Sequence, residues 1–504
     1  MKRPALVLAA LALALAWPQT AGAQDAAPPL NTTDRTCGAY TVRTVGNGME
    51  DPEDSVSLIR GGRTYVTLKD AATEMQQCGD FTGDGVPDVV LMQYSGGAHC
   101  CSVHSVYSLG AVPRRILHTY TGDGDSLEVR QLDGRGPREI VNTDWRFAYA
   151  YGLSFAGSPA LPRAYAYVGG QYVENTRAYR AWLLGQVTPV RADLAPGDAL
   201  SSYGLYLLAG QPQAAEGYVA RLPADLRAWL RNYAPDIRQN VSTAGYEDWP
   251  TRAGVPDGAT LAGLAGAFTR PGTHEYLGLI RVGDRASVRL YRQQGERIVS
   301  SSSLLGLAIL PESSYVGNFT VRRAAQAGRD DVVLSQVGPQ GVTYSAYRVG
   351  PAALTRLNDD PLAVSVRLLS DLSRVAQVVQ QRYDPTDPAD SPDRKPLSAQ
   401  AKAALDRQIA AAVARAQPWS RSGPRALNLG RLGVFNVQSI EVSRENARSA
   451  LLAGVVQAAQ IGKDFNRYDD NNRQTFALFL SRRAGVWQVD RWTLTPRIAP
   501  PPER

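Results

Sequence analysis

Beyond its first residues the sequence lacks long apolar runs. After Trp17 no stretch approaches the ~20 apolar residues that a membrane-crossing helix needs. Blocks of one charge sign are missing too. The 54 Lys and Arg against 47 Asp and Glu give a net charge of +7, but the basic residues, nearly all Arg, are interleaved with acids. A nucleic-acid binder concentrates its charge in a patch or stripe. A mildly basic, solvated surface is therefore expected, and nucleic acid is not an expected partner. Catalytic signatures are absent: no G-x-S-x-G elbow, no P-loop, no G-x-G-x-x-G, and no H-E-x-x-H, since His274-Glu275 has no second His. No reaction is legible.

Cysteine is scarce, and all four lie early: Cys37, Cys78, Cys100 and Cys101. The N-terminus explains how they would be used. Lys2 and Arg3, the apolar Ala5 to Trp17, and Ala21-Gly22-Ala23 read as a secretory signal over residues 1–23. No Cys follows to carry lipid and the tail Pro500 to Arg504 holds no anchor, so a secreted or periplasmic protein is expected. An oxidising compartment favours two disulfides, with three possible connectivities. Adjacent cysteines bond each other rarely because the small ring strains the geometry. Cys37 and Cys78 are therefore expected to reach one each of Cys100 and Cys101.

What the chain does contain is Asp80-Phe81-Thr82-Gly83-Asp84-Gly85-Val86-Pro87-Asp88, followed by an apolar run, Val89 to Met92. Oxygen-bearing side chains fall at positions 1, 3, 5 and 9, with Gly at 6. A hard cation takes six to eight oxygens, and the Gly permits the sharp turn around it. Asp80, Thr82, Asp84 and Asp88 would supply side chains and Val86 its carbonyl. An EF-hand would need an acid at position 12, where Leu91 stands. The plain alternative is an Asp/Gly turn without an ion, but three crowded aspartates would then repel one another uncompensated.

Three weaker copies follow. Gln131 to Glu139 aligns with Asp133 under Thr82. Ala267 to Glu275 keeps Phe-Thr at positions 2 and 3, Gly at 6 and an acid at 9. A fourth ends at Gly328 to Gln336. The closing acids Asp88, Glu139, Glu275 and Asp331 are spaced by 51, 136 and 56 residues. The long gap holds Ala-rich helical patterns, Ala199 to Ala209, Ala214 to Leu222 and Asp225 to Tyr233, punctuated by Gly210-Gln211-Pro212 and Pro223. Removing such an insert restores a period near 50, which suggests a propeller or similar array.

The expected organisation is a flexible lead-in over 24–36, a β-repeat region over 37–172, a helical insert over 173–248, and the β-repeat region continued over 249–361. A helix and Pro-rich linker over 362–396 lead to a C-terminal α+β domain over 397–504. There, Leu397 to Ala416 predicts a helix, with Pro418 beyond its end. Four strand-like runs follow, Val434 to Val442, Ser449 to Gln460, Thr475 to Arg482 and Val486 to Thr495. Gly485-Val486-Trp487-Gln488-Val489 resembles the last strand of cystatin-like, nuclear-transport-factor-like folds. The fold class is thus mainly β with a helical insert, α+β overall.

The unit D-x-T-G-D-G-x-x-D plus an apolar strand resembles the FG-GAP/VCBS repeats of integrin-α-like β-propellers over Asp80 to Leu91. The resemblance implies a Ca²⁺ loop between two strands of a blade, with Asp80, Thr82, Asp84, Val86 and Asp88 as ligands. The later copies depart from it: positions 1 and 5 are Gln131 and Arg135, then Ala267 and Pro271. One structural Ca²⁺ site is expected, with Arg135 free to neutralise Asp133 and Glu139 by direct pairing.

Other clusters are plainer. His99 and His104 beside the cysteines could ligate a transition metal, but disulfides consume the thiols. Asp123-Gly124-Asp125 and the stretch from Asp464 to Asn472 read as solvated turns. The functional expectation is an exported, Ca²⁺-stabilised β-repeat protein binding a protein or envelope glycan. The alternative is a secreted hydrolase with a dispersed carboxylate pair. A third reading is an assembly factor docking through the helical insert.

Overall fold

The structure, a computed structural model, describes residues 30–46, 53–97, 102–122, 126–308, 321–323, 329–338, 341–383, 398–425, 427–461, 473–496 and 498–502. The signal segment, His99, Cys100, Cys101, Asp123 to Asp125, residues 384–397 and Asp464 to Asn472 lie outside them. Among the described residues no helix is long and apolar enough to cross a membrane.

The chain is mainly β. A first antiparallel meander comprises β1 (Asn31–Cys37), β2 (Tyr40–Gly46), β3 (Asp54–Arg60) and β4 (Arg63–Asp70). Residues 31–36, anticipated as part of a lead-in, belong to a strand because the backbone of Asn31–Cys37 pairs with β2 from Asn31↔Gly46 to Cys37↔Tyr40. The second sheet is β5 (Ala72–Gly79), β6 (Asp88–Tyr94), β7 (Ser102–Leu109) and β8 (Pro113–Gly122). The third is β9 (Glu128–Arg130), β10 (Glu139–Asp144), β11 (Leu161–Val168) and β12 (Gln171–Glu174). Helices α1 (Arg180–Leu184), α2 (Pro196–Leu208), α3 (Pro212–Arg221), α4 (Ala224–Ser242) and α5 (Trp249–Arg252) follow. Pro196 and Pro212 start α2 and α3, where a missing N–H costs nothing.

Strands then resume. β13 (Thr260–Gly266), β14 (Glu275–Val282), β15 (Arg285–Gln294) and β16 (Arg297–Ser300) form a sheet, with β17 (Leu305–Ala308) on the free part of β15. After β18 (Val321–Arg323), a sheet of β19 (Val332–Gly338), β20 (Gly341–Val349) and β21 (Leu354–Arg356) leads into α6 (Pro361–Tyr383) and α7 (Ala399–Ser422). The last sheet is β22 (Leu432–Glu445), β23 (Ser449–Gln460), β24 (Arg473–Arg483) and β25 (Val486–Pro496), which β18 joins in parallel at β22. Ser398 caps α7 by accepting from the Ala401 amide. Pro418 lies inside α7, not beyond it. Trp419 donates to Asp371 on α6, and Trp492 donates to the Trp419 carbonyl, so tertiary bonds carry the helix past the proline.

Successive sheets stack through their side chains. Val89 and Leu91 of β6 pack with Tyr40, Val56 and Leu58 of the first sheet, while Val90 faces Ile140 and Tyr165 of the third. A strand covered on both faces reads as a continuous apolar run, which accounts for Val89 to Met92. The closing acids hold equivalent places. Asp88, Glu139 and Glu275 open β6, β10 and β14, and Asp331 immediately precedes β19. The phenylalanine at position 2 is a plug: Phe81 enters the core shared with the third sheet, and Phe268 the core shared with β19. The next sheet also clasps each loop by its backbone, through Arg138 N to Phe81 O at 2.9 Å and Asp330 N to Ala267 O at 2.8 Å.

The cysteine pairing differs from expectation. Cys37 bonds Cys78, not Cys100 or Cys101. The first sheet lies against the second and brings the two Cα atoms to 5.9 Å, within disulfide reach. The staple still flanks the loop, because Cys78 stands two residues before Asp80 and Cys37 Sγ contacts the Asp88 carbonyl at 3.5 Å.

Helix α4 is the joint of the molecule. Asn232 accepts from Thr475 of β24 at 2.9 Å, Arg238 pairs bidentately with Glu441 of β22, and Val455 of β23 enters the helical core. Helices α6 and α7 cover the opposite face of that sheet through Phe435, Val437, Leu452 and Leu478.

Candidate ligand cleft and ion loop

A cleft opens where the helical layer meets the β13–β16 sheet. Its walls are the chain after β12, the end of α2, the turn after α4, and the third loop, Ala267 to Glu275. Three lobes of about 680, 300 and 500 Å³ all touch His274, and each falls near or within the roughly 300–1,000 Å³ typical of small-molecule sites. The His274 ring lies parallel to Tyr246 (20°, 6.4 Å between centroids), and Trp249 meets Tyr246 edge-on at 5.0 Å.

Arg177 sets this geometry. Its guanidinium donates to the carbonyls of Leu207 and Leu208 at the end of α2, of Val241 and Ser242 at the end of α4, and of Ala244. Helix C-termini leave carbonyls without partners and carry partial negative charge, so one planar cation serves both ends. The same group lies 5.0 Å over the Tyr246 ring. Gly245 has φ +85°, and a Cβ there would meet Arg177 Cγ at 3.3 Å, so this turn requires glycine twice over.

The cleft is rich in arginine: Arg177, Arg180, Arg238, Arg252, Arg270 and Arg292. Its acids are Glu174, Glu275 and Asp330, and each is occupied. Burial opposes the Glu275 carboxylate, but Thr269 and Arg292, the latter at 2.7 Å, outweigh it and hold its pKa below the ordinary value. Asp330 accepts from the Ala267 amide at 2.8 Å.

Glu174 belongs to a buried ionic network behind the cleft. Arg163 lies 3.0 Å from Asp144, 3.7 Å from Glu174 and 3.9 Å from Glu247. Arg146 pairs with Asp144 and Glu247 and donates to the Asn240 carbonyl at 2.7 Å, tying β10 to α4. Asp248 accepts the Glu174 amide at 3.2 Å and faces Arg252 at 3.7 Å. Four carboxyls thus surround three guanidiniums. Burial pushes Glu174 up to about 7, against the pull of Arg163 and with help from Glu247 and Asp248. Burial likewise pushes Asp248 up to about 6, against Arg252. Asp144 goes the other way, because Arg163 and Arg146 overcome its burial.

In the first loop, Asp80 accepts from the Gly83 amide at 2.7 Å and the Gly85 amide at 2.9 Å, and Asp84 from the Val86 amide at 2.8 Å. Gly83 and Gly85 have φ of 74° and 82°, which the turn needs. Asp88 is fully buried; its Oδ2 accepts from the Phe81 and Thr82 amides. Burial raises its pKa, and those two bonds and Ser108 oppose the rise. The closing acids of the second and third copies do the same work. Glu139 accepts from the Leu132 amide and Tyr179, and Glu275 from the Thr269 amide and hydroxyl. Position 9 is therefore a loop staple whether or not an ion is present. Arg135 pairs with Asp133 at 3.9 Å, while Glu139 is satisfied by Leu132 and Tyr179.

Among the described residues, no three His, Cys, Asp or Glu are gathered as a metal-holding group. The donor chemistry of the first loop nevertheless fits Ca²⁺. Thr82 Oγ1 and Asp88 Oδ1 are buried without a hydrogen bond, and among the described residues no cation pairs with Asp80, Asp84 or Asp88. Hard oxygens with spare lone pairs are what Ca²⁺ takes. His104 and His118 are spent on hydroxyls, Thr121 at 3.0 Å and Ser105 at 3.1 Å.

Neither the family models nor the curated proteins contain a match to this chain. The cleft residues carry no motif. The one signal that could have found them is the changed third loop, where Ala267 and Pro271 replace the acids at positions 1 and 5 and Arg270 and His274 replace Gly83 and Pro87.

Proposed function

We propose that the chain is an exported β-repeat protein that binds a partner or envelope component through the His274 cleft. The five sheets other than that of β22–β25 would be blades of a propeller-like array, and the Asp80–Asp88 loop its one Ca²⁺-stabilised turn. When bound, Ca²⁺ would supply structural cross-linking of that turn, with Asp80, Thr82, Asp84, Asp88 and the Val86 carbonyl as its holders. The observation that carries the binding reading is an open cleft whose three acids are all occupied and whose lining includes six arginines with Tyr246, Trp249 and His274. A hydrolase that works through a carboxylate pair needs two carboxyls free to face one bond. Glu174 instead contacts Thr176 at 3.3 Å and Arg163, and Asp248 holds a backbone amide. The Cys37–Cys78 bond is consistent with an oxidising compartment.

Ala178 is exposed and lines the largest lobe. An Ala178→Trp variant is expected to obstruct that lobe while leaving the melting temperature unchanged. Retention on the isolated envelope fraction should fall at least ~10-fold relative to the parent protein, the loss of about 1.4 kcal/mol of binding. Equal retention of the two proteins would remove the cleft from the function.

A further inference from the structure

We propose that the ligand of this cleft bears an oxyanion, a carboxylate or phosphate, held between Arg180 and Arg270 on either side of His274. The inference rests on the binding reading above and adds the chemistry of what is bound. Six arginines face three acids here, and the acids are neutralised or committed within the wall. Arg177 and Arg238 are consumed by helix carbonyls and by Glu441 and Glu216. Arg252 is engaged by Asp248 and the Glu296 carbonyl, and Arg292 by Glu275. That leaves Arg180 and Arg270, both exposed, one in each of the lobes that meet at His274 and Gln293. Arg180 reaches only the side-chain oxygen of Gln211, at 2.9 Å, when that amide is oriented to accept.

The third loop has changed sign relative to the first. Where the first carries Asp80, Gly83 and Asp84, the third carries Ala267, Arg270 and Pro271. Its remaining acid, Glu275, is only 1% exposed. Gly272, at the turn, has open space where a Cβ would be, so its backbone borders the lobe without obstruction. A cation finds no purchase here, because Arg177 already caps the helix-end carbonyls. A carboxylate or phosphate group matches the guanidinium fork and gains strength from a partly desolvated wall.

The test is calorimetric titration of the full exported chain with three probes: trigalacturonate, the neutral trigalactose, and inorganic phosphate. Trigalacturonate or phosphate is expected to bind at least ~10-fold tighter than trigalactose, and binding should weaken at least ~10-fold between low and moderate salt. An Arg180→Gln/Arg270→Gln double variant should lose at least tenfold in anion affinity, as expected when two charge-assisted contacts of ~1.5 kcal/mol each are removed. Ala178→Trp should abolish it. Which anion binds distinguishes a carboxylate from a phosphate ligand. Trigalactose binding as tightly as trigalacturonate, with loss only in Ala178→Trp, would overturn the oxyanion assignment and leave the cleft reading standing. Envelope retention that survives Ala178→Trp, with no probe bound, would overturn both.

Discussion

Replacing Arg177 by Ala is expected to destabilise the protein by about 4–5 kcal/mol, more than half the stability of many domains. The guanidinium donates to five carbonyls drawn from the ends of α2 and α4 and the turn between α4 and Tyr246. Its removal leaves those carbonyls at two helix ends without their cation, and partly buried acceptors lose their desolvation compensation. It also removes the cation over Tyr246 and empties the space that Gly245 was shaped to leave. Arg177→Lys should recover less than half, because an ammonium is a point donor that cannot span both helix ends. Urea denaturation measures both variants. A loss under ~1 kcal/mol for Arg177→Ala, or full recovery in Arg177→Lys, would show that the helix ends need no shared cap.

Arg163→Leu is the second large effect, and it depends on pH. Arg163 lies within 4 Å of Asp144, Glu174 and Glu247. Breaking a buried pair by removing one partner typically costs about 3–5 kcal/mol, because uncompensated charge stays behind. The sign with pH follows from the folded pKa values. Glu174 titrates near 7 in the folded chain against 4.5 unfolded. Below 4.5 it is protonated in both states. Between 4.5 and 7 only the unfolded chain releases the proton, so stability falls as pH rises through that window, by about 3 kcal/mol. Asp248 acts likewise between 3.8 and about 6. Asp144, held below 3.8, stabilises above that value and loses its contribution only in stronger acid. Without Arg163 the three carboxyls hold protons to higher pH. The substitution should therefore cost the full 3–5 kcal/mol at pH 7.5 and roughly half of it at pH 5. A cost independent of pH would mean that the network is not ionised as described.

Much of the local structure was legible because local chemistry decides it. Ser449–Gln460 is a strand with the anticipated ends, since alternation and flanking turns fix it. The helices after Pro196 and Pro212 begin where proline allows. Position 9 of the loops stood out from acid spacing alone. What spacing could not supply was depth: Asp88, Glu139 and Glu275 are stapling groups inside the fold, and nothing in a nine-residue pattern distinguishes an inward from an outward carboxylate. The disulfide was misassigned for a related reason. Cys37 meets Cys78 through the stacking of two sheets, a long-range consequence of packing that ring-strain arguments about Cys100 and Cys101 do not address. The cleft was invisible because Arg177, Arg180, Tyr246, Arg270 and His274 come from three separate segments that no periodicity connects. Pro418 shows the limit of local rules from the other side, since Trp419 and Trp492 override it.

We propose a division of labour between matched loops: an acidic first loop that would take an ion, and a basic third loop that forms a cleft wall. Calorimetric titration of Ca²⁺ into chelator-treated protein tests it most directly, run in parallel on Asp84→Ala and on Arg270→Gln. The account predicts one Ca²⁺ per chain with a rise in melting temperature, loss of both in Asp84→Ala, and no change in Arg270→Gln. No Ca²⁺ uptake, or uptake that persists unchanged in Asp84→Ala, would contradict it.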